Sequence, residues 1–144
     1  MIKTKPKIGH VLDEIFRFYI KCESNWRCVI CGAGFGLGAP LLDCSHFHRT
    51  ANKGTKWHKD NCDSFCRVCH DKWERKKNPG QEYYEWKLKQ IGSDRFFELK
   101  VLANSIVKLN NLDKRDLAID FIKKIKELGY ETKTFEKKLL AFNL

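Results

Sequence analysis

The sequence predicts an α+β fold that is mostly α, with a zinc-stapled ββα core and flanking helices. Two observations predict it. Two Cys-x-x-Cys pairs, Cys28 with Cys31 and Cys66 with Cys69, enclose a stretch rich in glycine and histidine. Apolar residues at helical spacing precede and follow this stretch, as amphipathic helices require. We therefore expect an N-terminal helical segment at 1–25, a zinc-bound core at 26–79 and a C-terminal helical region at 80–144.

Local patterns predict the individual elements. We expect helices over residues 10–22, 64–75, 81–91, 93–109 and 113–128, most of which carry apolar positions at helical intervals. Ser93 and Asp113 are typical helix N-caps, and Gly92 and Gly129 are typical residues just beyond a helix C-terminus. The glycines between residues 32 and 38 predict a flexible loop, after which Leu41 and Leu42 open a short extended run.

Composition favours a basic protein of a reducing compartment. The chain has 144 residues, a formal net charge of +10 and seven cysteines. A basic excess favours a polyanionic partner, most often nucleic acid, although many basic proteins have none. The sequence lacks the run of about 18 apolar residues that a membrane span requires. It also lacks the apolar stretch that would follow the N-terminus in a secretory signal. We therefore expect a cytoplasmic location, thiols available for metal and no membrane partner.

The two Cys-x-x-Cys pairs predict a structural zinc site formed by Cys28, Cys31, Cys66 and Cys69. The pairs are 34 residues apart, and each pair is expected to form a knuckle that turns two thiolates to one side. Two knuckles supply the four sulfurs that tetrahedral zinc prefers. An iron–sulfur cluster is compatible with the same spacing, whereas a thioredoxin-type redox pair would need a βαβ context. Four protein ligands leave no open position, so this site would stabilise the fold without performing chemistry.

Two histidines and an asparagine surround the knuckles. His46 lies in the extended run between the pairs, Asn61 precedes the second pair and His70 directly follows Cys69. Zinc at Cys69 would also orient His70, and a strand packed on that helix would bring His46 to face it. One neutral imidazole would then take a proton from water while a cation held by the other stabilises charge on a phosphodiester. Taken singly, each histidine is also compatible with a structural role.

These motifs resemble those of the HNH (His-Me finger, ββα-metal) nucleases, which have a treble-clef-like core. Residues 61–70 are similar to that family's segment of asparagine, Cys-x-x-Cys and histidine, and Ser45-His46 falls where the family carries its base histidine. The resemblance implies a metal-dependent DNA endonuclease with His46 as general base and Asn61 as the central asparagine. It implies His70 as a ligand of a catalytic Mg²⁺ or Mn²⁺, with Zn²⁺ or Ni²⁺ as further candidates.

A narrower similarity covers about residues 26–104. Segments 44–47, 60–63, 66–70 and 82–92 resemble phage recombination endonucleases of the NinG (Rap) family. This similarity implies a structure-specific enzyme for branched DNA such as Holliday junctions, acting in the cytoplasm of the host cell. The C-terminal helical region would suit a homodimer, because a two-fold junction suits a two-fold enzyme.

One position departs from the HNH pattern. Ser45 stands where an acidic residue or a histidine is usual, and a hydroxyl is a poor ligand for a hard cation. Asp43 lies two residues earlier, on the same face of a strand. Ser45 and Asp43 are therefore both candidate ligands of the catalytic cation, and His48 is another candidate.

Four basic residues predict the contact with nucleic acid. Arg49, Lys53, Lys56 and Lys59 lie between His46 and Asn61, in a stretch with few apolar residues that predicts a surface loop. Beside the site, their charges would hold the phosphate backbone, and a solvated loop without a partner is the alternative. Two other functions stay open: an HNH nicking or packaging-associated nuclease on duplex DNA, and a non-catalytic zinc-ribbon DNA-binding module.

Overall fold

The computed structural model describes residues 7–75 and 80–142. Its elements, in chain order, are α1 (Ile8–Glu23), β1 (Leu42–His46), the short α2 (Lys53–Lys56), a 3-10 turn (Lys59–Asn61), β2 (Cys62–Cys66), the short α3 (Arg67–His70) with a π-helical continuation (Asp71–Arg75), α4 (Gln81–Ile91), α5 (Ser93–Ala103), α6 (Asn111–Glu127) and α7 (Lys133–Leu140). The predicted α+β class with mostly helical content is confirmed. Within the described ranges, no helix combines the length and apolar character needed to cross a membrane.

The described chain forms two compact units. One unit joins α1 to α6 and α7, and the other comprises Ser24–Lys108. This division differs from the three predicted segments, because α1 packs on α6 and because α4 and α5 belong with the strands. The predicted boundary at residue 79 lies outside the described residues.

The first unit is held by apolar faces of α1 and α6. Leu12, Ile15 and Phe16 are at most 1% exposed, which confirms the predicted stripe of the first helix. The ring of Phe16 lies 5.0 Å from that of Phe121 on α6, in a tilted arrangement. Aromatic pairs at this distance add to the stability that burial provides.

The second unit is built around a two-stranded antiparallel sheet. Its register pairs Leu42 with Cys66 and His46 with Cys62, which confirms the predicted extended run. The predicted helix at 64–75 is wrong at its start, because β2 pairs with β1 as far as Cys66 and α3 begins only at Arg67. The core beside the sheet consists of buried residues of β2, α4, α5 and the start of the β1–β2 loop: Phe47, Phe65, Tyr83, Phe96 and Leu99.

Helix ends differ from the predictions in detail. Asn110, not Asp113, caps α6: its side chain accepts from the Asp113 N–H at 2.8 Å, and the Asp113 carboxylate accepts from the Asn110 N–H at 3.0 Å. Gly92, with φ 82°, ends α4 and also precedes α5, so Ser93 is a helical residue rather than the cap. Helix α5 ends at Ala103 instead of residue 109, and α7 was not predicted.

A buried ion pair joins α4 to β2. Lys87 is 1% exposed, and its Nζ lies 2.5 Å from Asp63 Oδ2, while Gln90 donates to the other carboxylate oxygen at 3.0 Å. Removing one partner of such a pair leaves an uncompensated buried charge.

We expect Lys87→Met to destabilise the second unit by about 3 kcal/mol, measured by urea unfolding with tryptophan fluorescence. Lys89→Met, at an exposed position of the same helix, is the control. Adding Asp63→Asn to Lys87→Met is expected to recover part of the lost stability. Equal destabilisation by Lys87→Met and Lys89→Met would contradict the expected role of the buried pair.

Candidate functional site

Four cysteine sulfurs converge where the two knuckles meet. The Sγ atoms of Cys28, Cys31, Cys66 and Cys69 all lie within 4.8 Å of one another, and those of Cys31 and Cys66 are 3.8 Å apart. A tetrahedron with Zn–S bonds of about 2.3 Å has edges of about 3.8 Å. The predicted convergence is therefore confirmed, and this four-cysteine cage can hold a metal such as zinc.

Local hydrogen bonds explain the shape of both knuckles. In the first, the Gly32 N–H donates to the Cys28 carbonyl at 2.9 Å, and Gly32 has φ 75°, a conformation that favours glycine. In the second, Cys66 caps α3 through its Sγ, which accepts from the Cys69 N–H at 3.4 Å. Burial alone raises the pKa of Cys28, but backbone N–H donors in the two knuckles lower it to about 7. The lowered pKa favours the thiolate that a metal requires.

Asn61 closes the loop between β1 and β2. Its side chain is fully buried and makes three hydrogen bonds: Nδ2 donates to the carbonyls of His48 and Thr55, both at 3.1 Å, and Oδ1 accepts from the His48 N–H at 2.7 Å. Next to it, Asp60 pairs with Arg95 of α5. Burial alone raises the pKa of Asp60, but the hydrogen bond and charge of Arg95 hold it below its usual value. Asn61 thus fixes the conformation of the loop between the two strands.

The bonds of Asn61 lead to a stability prediction. We expect Asn61→Ala to lower the free energy of unfolding of the second unit by about 3 kcal/mol, because the main-chain groups of His48 and Thr55 lose buried partners. Asn52→Ala is a matched control, since Asn52 lies in the same loop and makes no side-chain cap bond. Urea unfolding of both variants checks this, and an Asn61→Ala midpoint equal to that of Asn52→Ala would contradict it.

The same loop fixes the imidazole of His46. His46 is half-buried at the end of β1, and its Nε2 lies 3.0 Å from the Lys56 carbonyl oxygen. A carbonyl can only accept, so Nε2 carries the hydrogen and Nδ1 carries the lone pair of the neutral ring. The contact with Lys56 therefore fixes the orientation of the His46 ring, and the neutral form of this ring has its lone pair on Nδ1.

The other predicted histidine pairs with a carboxylate. His70 Nδ1 lies 3.1 Å from Asp43 Oδ2, and the two side chains are 26% and 25% exposed. Arg67 contributes a positive charge 3.6 Å from the second carboxylate oxygen. An imidazole and a carboxylate at this distance could bind a divalent cation in place of the shared proton.

The other proposed ligands of that cation are placed differently. Ser45 is fully buried and its hydroxyl lies 3.0 Å from that of Tyr83, so the structure does not support Ser45 as a ligand. His48 packs on Phe47, with ring centroids 5.0 Å apart, and no contact joins it to His70 in the described residues. Burial, and then the charges of Lys100 and Lys87, lower the pKa of His48, so its ring is neutral at neutral pH.

His46 and His70 do not face each other as predicted. Side chains alternate along a strand, so His46 and Cys44 share one face of β1 while Asp43 and Ser45 share the other. His70 pairs with Asp43, on the face opposite His46. Consistently, within the described chain the ligand atoms of Asp43, His46 and His70 do not all lie within 4.8 Å of one another. The strand faces therefore do not support the predicted confrontation of two imidazoles across one cation.

The basic segment between the strands is more ordered than a surface loop. It contains α2, and Trp57 is only 7% exposed because it packs into the fold. Arg49, Lys53 and Lys59 are exposed, whereas Lys56 is half-buried with its Nζ 4.9 Å from the ring of Trp57. Three of the four predicted DNA-binding residues therefore keep exposed side chains beside the site.

Cys44 and Cys62 belong to neither Cys-x-x-Cys pair. In the structure their sulfurs and a ring nitrogen of His46 all lie within 4.8 Å of one another. The alternation of Cys44 and His46 along one strand face was visible in the sequence. The approach of Cys62 was not, because it depends on the strand register.

No protein-family model, curated protein or solved structure matches this chain. Its function must therefore be inferred from the residues and their arrangement.

Proposed function

We propose that this chain is a metal-dependent DNA endonuclease of the HNH type that hydrolyses phosphodiester bonds. The observation that carries the proposal is the state of His46. Its ring is anchored through Nε2 to the Lys56 carbonyl at 3.0 Å, in a loop that Asn61 closes with three hydrogen bonds. A neutral imidazole with a fixed orientation and a basic Nδ1 has the properties of a general base.

The reaction uses His46 to activate water. Nδ1 takes a proton from a water molecule, whose oxygen then attacks the phosphorus and displaces the sugar oxygen of the leaving strand. Asp43 and His70 would hold a Mg²⁺ or Mn²⁺ ion, which stabilises charge on the phosphate and on the leaving oxygen when it is bound. Because His46 and this pair lie on opposite faces of β1, the proposal requires the nucleic-acid backbone to pass along the edge of β1 that faces away from β2.

Exposed positive charges support nucleic acid as the substrate. Arg49, Lys53 and Lys59 lie in the loop that anchors His46, and the chain carries a net charge of +10. Phosphate contacts of this kind position a substrate without reading its base sequence. Such recognition suits an enzyme that selects DNA by its shape, and we propose branched DNA as the preferred substrate.

Salt dependence tests the role of these charges. Removing one lysine–phosphate interaction is expected to reduce the slope of log K against log salt concentration by about 0.9 for duplex DNA. We expect the Lys53→Ala, Lys59→Ala double variant to bind DNA more weakly and with a shallower slope than the native chain. The control is Lys123→Ala and Lys133→Ala, two exposed lysines of the other unit. An unchanged slope in the first variant would place DNA binding elsewhere.

Cleavage of labelled DNA by the full chain tests the activity itself. A four-way junction and a linear duplex of the same sequence are incubated with protein that carries one equivalent of zinc in the four-cysteine cage, with and without added Mg²⁺ or Mn²⁺. We expect cleavage that requires the added ion and is faster on the junction. Faster cleavage of the linear duplex would favour a nicking or packaging-associated nuclease. Binding without cleavage of either DNA would favour the non-catalytic zinc-ribbon module.

A further inference from the structure

We propose that Cys44, His46 and Cys62 form a second metal site, distinct from the four-cysteine cage, that binds zinc or a cation of similar softness. The two sulfurs and a ring nitrogen all lie within 4.8 Å of one another. Two thiolates and an imidazole suit Zn²⁺, whereas Mg²⁺ prefers oxygen ligands.

The sheet brings these three side chains together. Cys44 and His46 are two residues apart on β1, so they project from the same face. Cys62 is the strand partner of His46 across the antiparallel register. The Asn61 bonds to His48 and Thr55 hold the adjoining loop in place. The ligand positions are therefore set by backbone pairing rather than by flexible side chains.

The surroundings also suit a bound cation. The Lys56 carbonyl lies 3.0 Å from His46 Nε2 and accepts weakly from Cys62 Sγ at 4.0 Å. A ligating histidine commonly binds the metal through one nitrogen and a backbone carbonyl through the other. Cys62 is buried, while Cys44 and His46 are half-buried, so a cation can enter from solvent on their side. Three protein ligands leave a fourth position open, as in zinc sites that exchange a ligand.

Cobalt binding tests the site without reference to activity. The full chain is reduced and given one equivalent of Zn²⁺, which the four thiolates of the cage take in preference to the second site with its two thiolates, and Co²⁺ is then titrated in. We expect the native chain to bind one further cation, with the near-ultraviolet absorption of thiolate-bound cobalt. The Cys44→Ala variant is expected to lose this cation and its absorption while keeping the cage zinc. Cys22→Ala, which removes a buried thiol from α1, is the control and is expected to bind cobalt like the native chain.

Two results would overturn the proposal. One is a native chain that binds no cobalt beyond the cage, including the case in which Cys44 and Cys62 are found by peptide mapping to form a disulfide. The other is undiminished cobalt binding by Cys44→Ala. The zinc content of the cage and the tryptophan fluorescence show whether each variant is folded. If Cys44→Ala does not fold, Cys62→Ser removes another ligand of the same site and takes its place.

A consequence for cleavage rests on the proposed function. A cation at this site would occupy the nitrogen lone pair of His46 or displace its ring from Lys56, and either change would stop proton transfer. We expect zinc added to the Mg²⁺ assay to inhibit the native chain at least tenfold, relative to its rate without added zinc. The inhibition, expressed in the same way, is expected to disappear in Cys44→Ala. Cobalt binding without such inhibition would keep the metal site and exclude this regulation, whereas absence of any cleavage would count only against the proposed function.

Discussion

Replacing His46 by alanine is expected to remove nearly all DNA cleavage while leaving DNA affinity and the zinc of the four-cysteine cage nearly unchanged. The imidazole belongs to the loop side of β1, and none of the four cage sulfurs contacts it among the described hydrogen bonds. Its removal therefore deletes the base without deleting a cage ligand. General-base catalysis contributes about 10²- to 10⁴-fold to a rate, so we expect His46→Ala to cleave DNA more slowly than the native chain by a factor in that range.

The measurement separates catalysis from folding and binding. Cleavage is followed on labelled junction DNA, affinity by gel shift without Mg²⁺, and cage zinc in dialysed protein by elemental analysis. His10→Ala, an exposed histidine of α1, is the matched control and is expected to behave like the native chain. Retained cleavage in His46→Ala would refute His46 as the base.

Two further measurements test whether the imidazole of His46 acts as a base. Added free imidazole is expected to restore part of the cleavage by His46→Ala. The native rate is expected to rise with pH across the range in which histidines lose their proton, and the residual rate of the variant is expected to lack this rise. A merely structural role for His46 would produce neither effect.

The parts of the site that could be predicted from sequence depend on local spacing. A Cys-x-x-Cys pair forms its turn from neighbouring residues, and the tetrahedral preference of zinc then joins two such turns. Cys28 and Cys66 could therefore be assigned to one cluster without knowing the fold.

The parts that could not be predicted depend on strand register and tertiary packing. Strand alternation places Asp43 and Ser45 on one face, and the same rule places His46 on the other. The prediction that His46 contacts His70 did not take into account that His46 lies on the opposite face of the strand from Asp43. The burial of Ser45 against Tyr83 follows from the docking of α4, which no local pattern specifies. The grouping of α1 with α6 and α7 depends on apolar faces that are far apart in the sequence.

Replacing Cys66 by serine is expected to unfold the second unit and to leave the first unit folded. Cys66 ends β2, its sulfur lies 3.8 Å from that of Cys31, and it caps α3 by accepting from the Cys69 N–H at 3.4 Å. The substitution therefore removes a zinc ligand at the point where strand, knuckle and helix meet. Structural zinc contributes about 10–16 kcal/mol to the folding of zinc-finger peptides, which is as large as the whole free energy of unfolding of a typical domain.

The distribution of tryptophans makes this partial unfolding measurable in the full chain. All four tryptophans lie within residues 24–108, so their fluorescence reports only the second unit, whereas circular dichroism reports the helices of both. We expect Cys66→Ser to show solvent-exposed tryptophan emission, no bound zinc and a remaining helical signal that melts as α1, α6 and α7 unfold. Cys44→Ser, which replaces a half-buried thiol outside the cage, is the control and is expected to keep native emission and the cage zinc. A native-like melting curve with full zinc content in Cys66→Ser would show that the cage does not hold this unit together, since the removal of one of four ligands would then have no effect on folding.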